Sequence, residues 1–153
     1  MCCSHNFVPF NEEKKTHIYH AIVLNTITHA AETWCLKAKT VAKLNSTEID
    51  FWRRSARISR KDKIRNTIIK QEMNVTKSLL DEIMSLQLKW YGHVQRMEEG
   101  RLLKEGMKWS PPGRRKRGRP KATWAEGIRG MMGKKGLMEE DWNDRGNWRK
   151  KIM

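Results

Sequence analysis

Proline is scarce in this chain, standing only at positions 9, 111, 112 and 120. No proline breaks a helix anywhere between residues 10 and 110. Cysteine is scarcer still. Cys2, Cys3 and Cys35 are few and oddly placed, which argues against a disulfide framework and reads as reduced intracellular thiols. Cys2, Cys3 and His5 lie close together. No second ligand pair occurs at zinc-finger spacing, so no structural metal is expected. No apolar run approaches the ~20 residues that span a bilayer, and a membrane partner is not expected. Met1 to Phe10 lacks the basic start and apolar middle of a signal peptide.

Catalytic signatures are missing as well. There is no Gly-rich phosphate loop, no nucleophile motif and no pair of adjacent aspartates in an apolar strand. Two-metal nucleotidyl transfer needs the last of these. The expectation is a chain without enzymatic activity, cofactor or small-molecule substrate. Acidic residues are also in short supply: 17 against 32 Lys and Arg, for a net charge of +15. An imbalance of that size implies an anionic partner, nucleic acid before an anionic membrane.

What is present is helical in character. No period-two pattern of a strand stands out, and an all-α protein is expected. Asn11, Glu12 and Glu13 resemble a helix start, with acids at the positive end of the dipole. Ile18 and Ile22 come next at helical spacing. A second helix is predicted from Thr40, marked by Val41, Leu44, Ile49 and Trp52. Ser59 with Asp62 resembles a capping box ahead of Ile64, Ile68 and Ile69. The clearest helix is predicted from Thr76 to Met97, with Leu80, Ile83, Met84, Tyr91 and Val94 on one face. After Glu99, glycines and prolines puncture the chain, and 109–122 reads as an extended connector. Thr123 and Glu126 form a second capping box. Gly133 and Gly136 close that helix, and Glu139, Glu140 and Asp141 open a last one. Together these make a small, irregular assembly of about five or six helices with an extended basic loop and loosely held termini.

The positive charge is local. Arg53, Arg54, Arg57, Arg60, Lys61, Lys63, Arg65 and Lys70 face one acid, Asp62, and Arg114, Arg115, Lys116, Arg117, Arg119 and Lys121 face none. The two patches hold thirteen of the fifteen net positive charges, so basicity is not a uniform surface trait. Concentrated runs of this kind suit phosphate contact. Within the second, Arg117-Gly118-Arg119-Pro120 matches the core of an AT-hook. Two arginines can enter the narrow minor groove of A·T-rich DNA, glycine lets the backbone lie close, and proline turns the chain away. A nuclear localisation signal is the competing reading of the same run. Trp109 and Trp124 bracket it. They either stack on bases or pin the ends of the loop. The core is expected to take Trp52, Trp90, Trp142 and Trp148.

Four stretches occur in order: Ala31-Glu32-Thr33-Trp34, Glu48-Ile49-Asp50-Phe51-Trp52-Arg53-Arg54, Leu88-Lys89-Trp90-Tyr91-Gly92-His93-Val94-Gln95-Arg96-Met97, and Gly113 to Pro120 with Trp124 behind it. In that order and spacing they resemble the C-terminal region of the endonuclease–reverse transcriptase (an RNA-directed DNA polymerase) of non-LTR, LINE-type retrotransposons. The resemblance runs from about Thr16 to Ile152. It departs at Thr28-His29-Ala30, where many relatives read Thr-Tyr-Gly. It implies that residues 11–38 are a helix from the end of a polymerase thumb and that the remainder of the chain is a post-polymerase tail. The catalytic endonuclease and polymerase domains of such parents are not in this sequence, which on this reading is a truncated fragment.

The expected organisation is a disordered N-terminus (1–10), the thumb-like helix (11–38), a helical basic region (39–108), the AT-hook-like loop (109–122) and short C-terminal helices (123–153). The expected function is binding of RNA, DNA or both, with the nucleus favoured over the cytoplasm by residues 114–121. An AT-hook-like chromatin adaptor and a degenerate retroelement reading frame without function are the alternatives.

Overall fold

The computed structural model describes residues 12–109 and 123–153. Asn11, the N-terminal stretch 1–10 and the basic run 114–121 lie outside the described residues. Seven helices and three short 3-10 turns form the regular structure, and no strand occurs among the described residues. The protein is all-α, as the lack of period-two patterning predicts.

The chain divides into two compact units. One comprises the residues up to His29 with Ala42–Leu79; the other comprises Ala30–Val41 with Leu80–Met153. The stretch 39–108, read from sequence as one region, is shared between them.

In the first unit, α1 is α-helical over Glu12–Ile18, widens to a π-helix over Tyr19–Leu24 and closes over Asn25–Ile27. The i→i+5 bonding of a π segment changes which residues share a face. Tyr19 is buried and Val23 packs beside it, whereas Ile18 and Ile22, inward-facing by α-helical spacing, are 49% and 62% exposed. Helix α2 (Ala38–Ser55) supplies Trp52, and α3 (Asn66–Glu72) supplies Ile69. With Tyr19, Ala56 and Met73 these form the core. Lys15 Nζ donates to Ser55 O at 2.6 Å, placing a cation at the negative end of α2. Glu48 is fully buried on α2. Its carboxylate accepts from Lys70 Nζ at 2.7 Å and from the backbone N–H of Leu79 at 2.9 Å, tying three segments together.

In the second unit, α4 (Leu79–Gln95) runs from Leu80 onward as a spine. It is shorter at both ends than the predicted 76–97. Leu88 joins Ile128, Met131, Met132, Leu137, Trp148 and Ile152 in the core, with Tyr91, Trp124 and Trp142 against it. Buried Gln87 donates to Ala31 O at 2.9 Å and Trp34 O at 2.8 Å, bracing the incoming segment. The glycine-punctured region after Glu99 still forms α5 (Leu102–Lys108). Lys104 Nζ donates to Met97 O and pairs with Glu99, which offsets the poor intrinsic helicity.

Helix α6 (Trp124–Lys134) starts at the predicted capping box, with both halves of the Thr123–Glu126 exchange formed. It ends where Gly136 turns left-handed at φ +63 and Leu137 enters the core. Helix α7 (Arg145–Ile152) is capped by Asp144, whose carboxylate accepts from Gly146 N and Asn147 N. The acids at 139–141 instead lead into a 3-10 turn over Asp141–Asn143, of which Asp141 is the first residue. Because Trp148 and Ile152 are buried, the chain is anchored to within one residue of Met153.

Candidate nucleic-acid interface

The first basic patch is built on the C-terminal end of α2 and the connection leading on to α3. Helix α2 finishes in a Schellman motif: Ile58 N donates to Arg53 O at 2.9 Å and Arg57 N to Arg54 O at 3.1 Å. The residue at the turn of such a motif is left-handed and usually glycine. Here it is Arg57, at φ +56. Ile58 then packs on the core. Ser59 caps the 3-10 turn Arg60–Asp62, and Asp62 Oδ2 accepts in return from Ser59 N at 2.7 Å. The predicted box is therefore formed, on a 3-10 turn rather than on an α-helix. Lys63 leaves the turn, also left-handed, at φ +54.

The eight cations of this patch take different roles. Arg53 turns inward, donating to Ser59 O at 3.3 Å, Ile64 O at 2.5 Å and Asn66 Oδ1 at 2.8 Å. It fastens the connection to the helix and is a positioning residue. Arg60 meets Asp50 with contacts of 2.6 and 2.8 Å to its two oxygens. The hydrogen bond from Arg60 holds the Asp50 carboxyl below its ordinary range, and the charges of Arg54 and Arg53 add to the effect. Lys70 is occupied by Glu48. The other five, Arg54, Arg57, Lys61, Lys63 and Arg65, are exposed, and their side chains make no hydrogen bond or ion pair with any described residue. The arrangement is a cationic surface on a braced support, entered and left through left-handed residues.

The described Phe, Tyr and Trp residues of this unit are used in its core. Tyr19, Phe51 and Trp52 pack on one another with centroids 4.5 to 5.0 Å apart, and none is exposed. A crevice lined by Thr16, Tyr19, His20, Trp52 and 74–77 has a volume of about 20 Å³. That is room for a water and not for a base.

Of the second cluster, Arg114, Arg115, Lys116, Arg117, Gly118, Arg119, Pro120 and Lys121 lie outside the described residues. The two flanking tryptophans differ. Trp109 is 69% exposed. Trp124 packs against the core, and its Nε1 donates to Glu32 O at 2.8 Å. That indole anchors the start of α6.

Asp50, Asn66 and the bracing role of Arg53 carry no signal in the sequence. Arg60 lies ten residues from Asp50 and Asn66 thirteen from Arg53. Neither spacing is one that brings side chains together along a helix, so only the folding-back of the connection reveals the pairs. Compared with known proteins, the chain matches no family model, and neither a curated protein nor a solved structure is significantly similar to it.

Proposed function

We propose that this chain binds nucleic acid through cationic surfaces and carries out no chemistry of its own, as a region akin to the C-terminal tail of a non-LTR retrotransposon reverse transcriptase. The observation that carries the reading is the set of five exposed cations at 54–65, whose side chains make no hydrogen bond or ion pair with a described residue, on a support braced by Arg53. Cations that are neither buried nor paired are available to displace counterions from phosphates. A second observation supports the retroelement resemblance. Ala30 is left-handed at φ +55, at the position where many such relatives carry glycine, the residue that adopts this conformation without strain. On this reading the run Arg114 to Lys121 adds a second grip, or serves as a nuclear address.

The test is fluorescence anisotropy of the purified chain with a labelled duplex and an RNA hairpin over 50 to 200 mM salt. Binding that weakens linearly in log–log form as salt rises is expected. No binding to either at 50 mM salt would sink the proposal. Selective loss of binding to A·T-rich duplex on changing Arg117 and Arg119 to Ala would favour the AT-hook alternative.

A further inference from the structure

Resting on the proposed nucleic-acid binding, we infer that the surface formed by Arg54, Arg57, Lys61, Lys63 and Arg65 recognises the sugar–phosphate backbone of a double-stranded nucleic acid, without reading or stacking on bases. Recognition of single strands relies on exposed rings on which successive bases stack, each worth ~1–3 kcal/mol. This unit exposes no Phe, Tyr or Trp among its described residues, because Tyr19, Phe51 and Trp52 are used in its core. Nor does the crevice beside Trp52, at about 20 Å³, admit a base.

Base-edge readout by a major-groove helix needs a helix presenting polar side chains in a row, and the five cations do not lie that way. Only Arg54 is on an α-helix; Lys61 is on the 3-10 turn and the other three are on the irregular parts of the connection between α2 and α3. What this surface offers is charge carried on a braced backbone. The backbone turns left-handed at Arg57 and Lys63, the 3-10 turn between them is capped at Ser59, and Arg53 fastens the connection to α2. A braced backbone holds the roots of these cations at set positions, from which their side chains can reach the regularly spaced phosphates of a duplex. Duplex DNA and duplex RNA both supply that chemistry.

The test compares the full chain with a variant carrying Arg54→Gln, Lys61→Gln and Arg65→Gln. These three positions have ordinary backbone angles and no side-chain partner among the described residues. An unchanged thermal midpoint verifies the fold. Anisotropy titrations use a 20-base-pair DNA duplex, an RNA duplex of the same length, and a single-stranded oligo(dT). On duplex DNA the salt slope should flatten by about 2.7, so that wild-type affinity falls roughly 40-fold more than that of the variant between 50 and 200 mM salt. The RNA duplex should show a comparable loss, and oligo(dT) almost none. A loss on oligo(dT) equal to that on duplex would overturn the inference and leave nucleic-acid binding standing. An unchanged duplex slope would also overturn it, and would leave the binding to the run 114–121. Failure of every probe to bind removes both.

Discussion

The indole of Trp148 lies directly against Gly92. Its Nε1 donates to Leu88 O at 3.1 Å, one turn back along α4, and a Cβ on Gly92 would stand 2.4 Å from that nitrogen. The stretch Leu88 to Met97 is thereby given a structural role: a docking rail for the C-terminal segments. The ring of Tyr91 meets those of Trp124 and Trp148, its centroid 6.4 Å from each. Arg96 Nη1 reaches Trp142 O at 2.6 Å.

Gly92→Ala should therefore destabilise the fold even though alanine is the better helix former. The added methyl meets a buried ring that is also hydrogen-bonded, and overpacking of that kind costs roughly 1–3 kcal/mol. Thermal unfolding followed by circular dichroism should show a midpoint lowered by several degrees. A variant as stable as the wild type would mean that Trp148 does not sit on this helix.

Acid should loosen α5 in a defined window. Hydrogen bonds from Lys104 and then Lys108 hold the Glu99 carboxyl at about 2, well below its ordinary 4.5. A lowered carboxyl pKa means that the interaction is complete above pH 4.5 and is lost as pH falls from there towards 2. The carboxyl carbon of Glu99, followed by NMR, should titrate near 2, and amide protection across Leu102–Lys108 should decline over the same range. Glu99→Gln should abolish that pH dependence. A Glu99 midpoint near 4.5 would show that the two lysines do not hold it.

Features set by neighbours in sequence were readable from sequence alone. The Thr123–Glu126 exchange needs only a three-residue spacing. Trp148 and Ile152 share a helix face by being four apart, and both are buried. The π segment of α1 was not legible, since no residue type in Tyr-His-Ala-Ile-Val-Leu announces it, and so the exposed and buried faces were exchanged at Ile18 and Tyr19. Helix α5 falls within the stretch 39–108 read as helical, but its bounds were hidden by Gly106, because the contacts of Lys104 with Met97 O and Glu99 offset the low intrinsic propensity. At the basic patch, composition located the charges but could not sort them. Inward Arg53, paired Arg60 and exposed Lys61 look alike until the connection folds back over α2.

That sorting leads to a gain-of-binding variant. Asp50 engages Arg60 through both oxygens on the exposed surface. In competition with a phosphate, it acts as an internal substitute for the ligand. Asp50→Asn should release Arg60 to solvent and raise the local positive charge. Affinity for duplex should rise several-fold at 100 mM salt, with the salt slope steeper by roughly 0.9. Stability should change little, since exposed pairs contribute little. Unchanged affinity and slope would place Arg60 outside the contact surface.

Arg57 separates stability from binding. Left-handed backbone costs an ordinary L-residue about 1–2 kcal/mol, and glycine is free of that cost. Arg57, at φ +56, occupies the Schellman position that glycine would fill best. Arg57→Gly should therefore raise stability by roughly 1 kcal/mol, a few degrees in midpoint. The same change removes one exposed cation, so the slope of log affinity against log salt on duplex DNA should flatten by about 0.9. Arg57→Ala supplies the control, because it loses the charge and keeps a side chain in the left-handed region. It should bind like the glycine variant without the gain in stability. A more stable chain that binds less well is the outcome expected if arginine serves the surface here and not the fold. Should Arg57→Gly bind with the wild-type slope, Arg57 makes no phosphate contact. Should it also fail to gain stability, the turn at Ala56 to Ile58 is not the left-handed cap described.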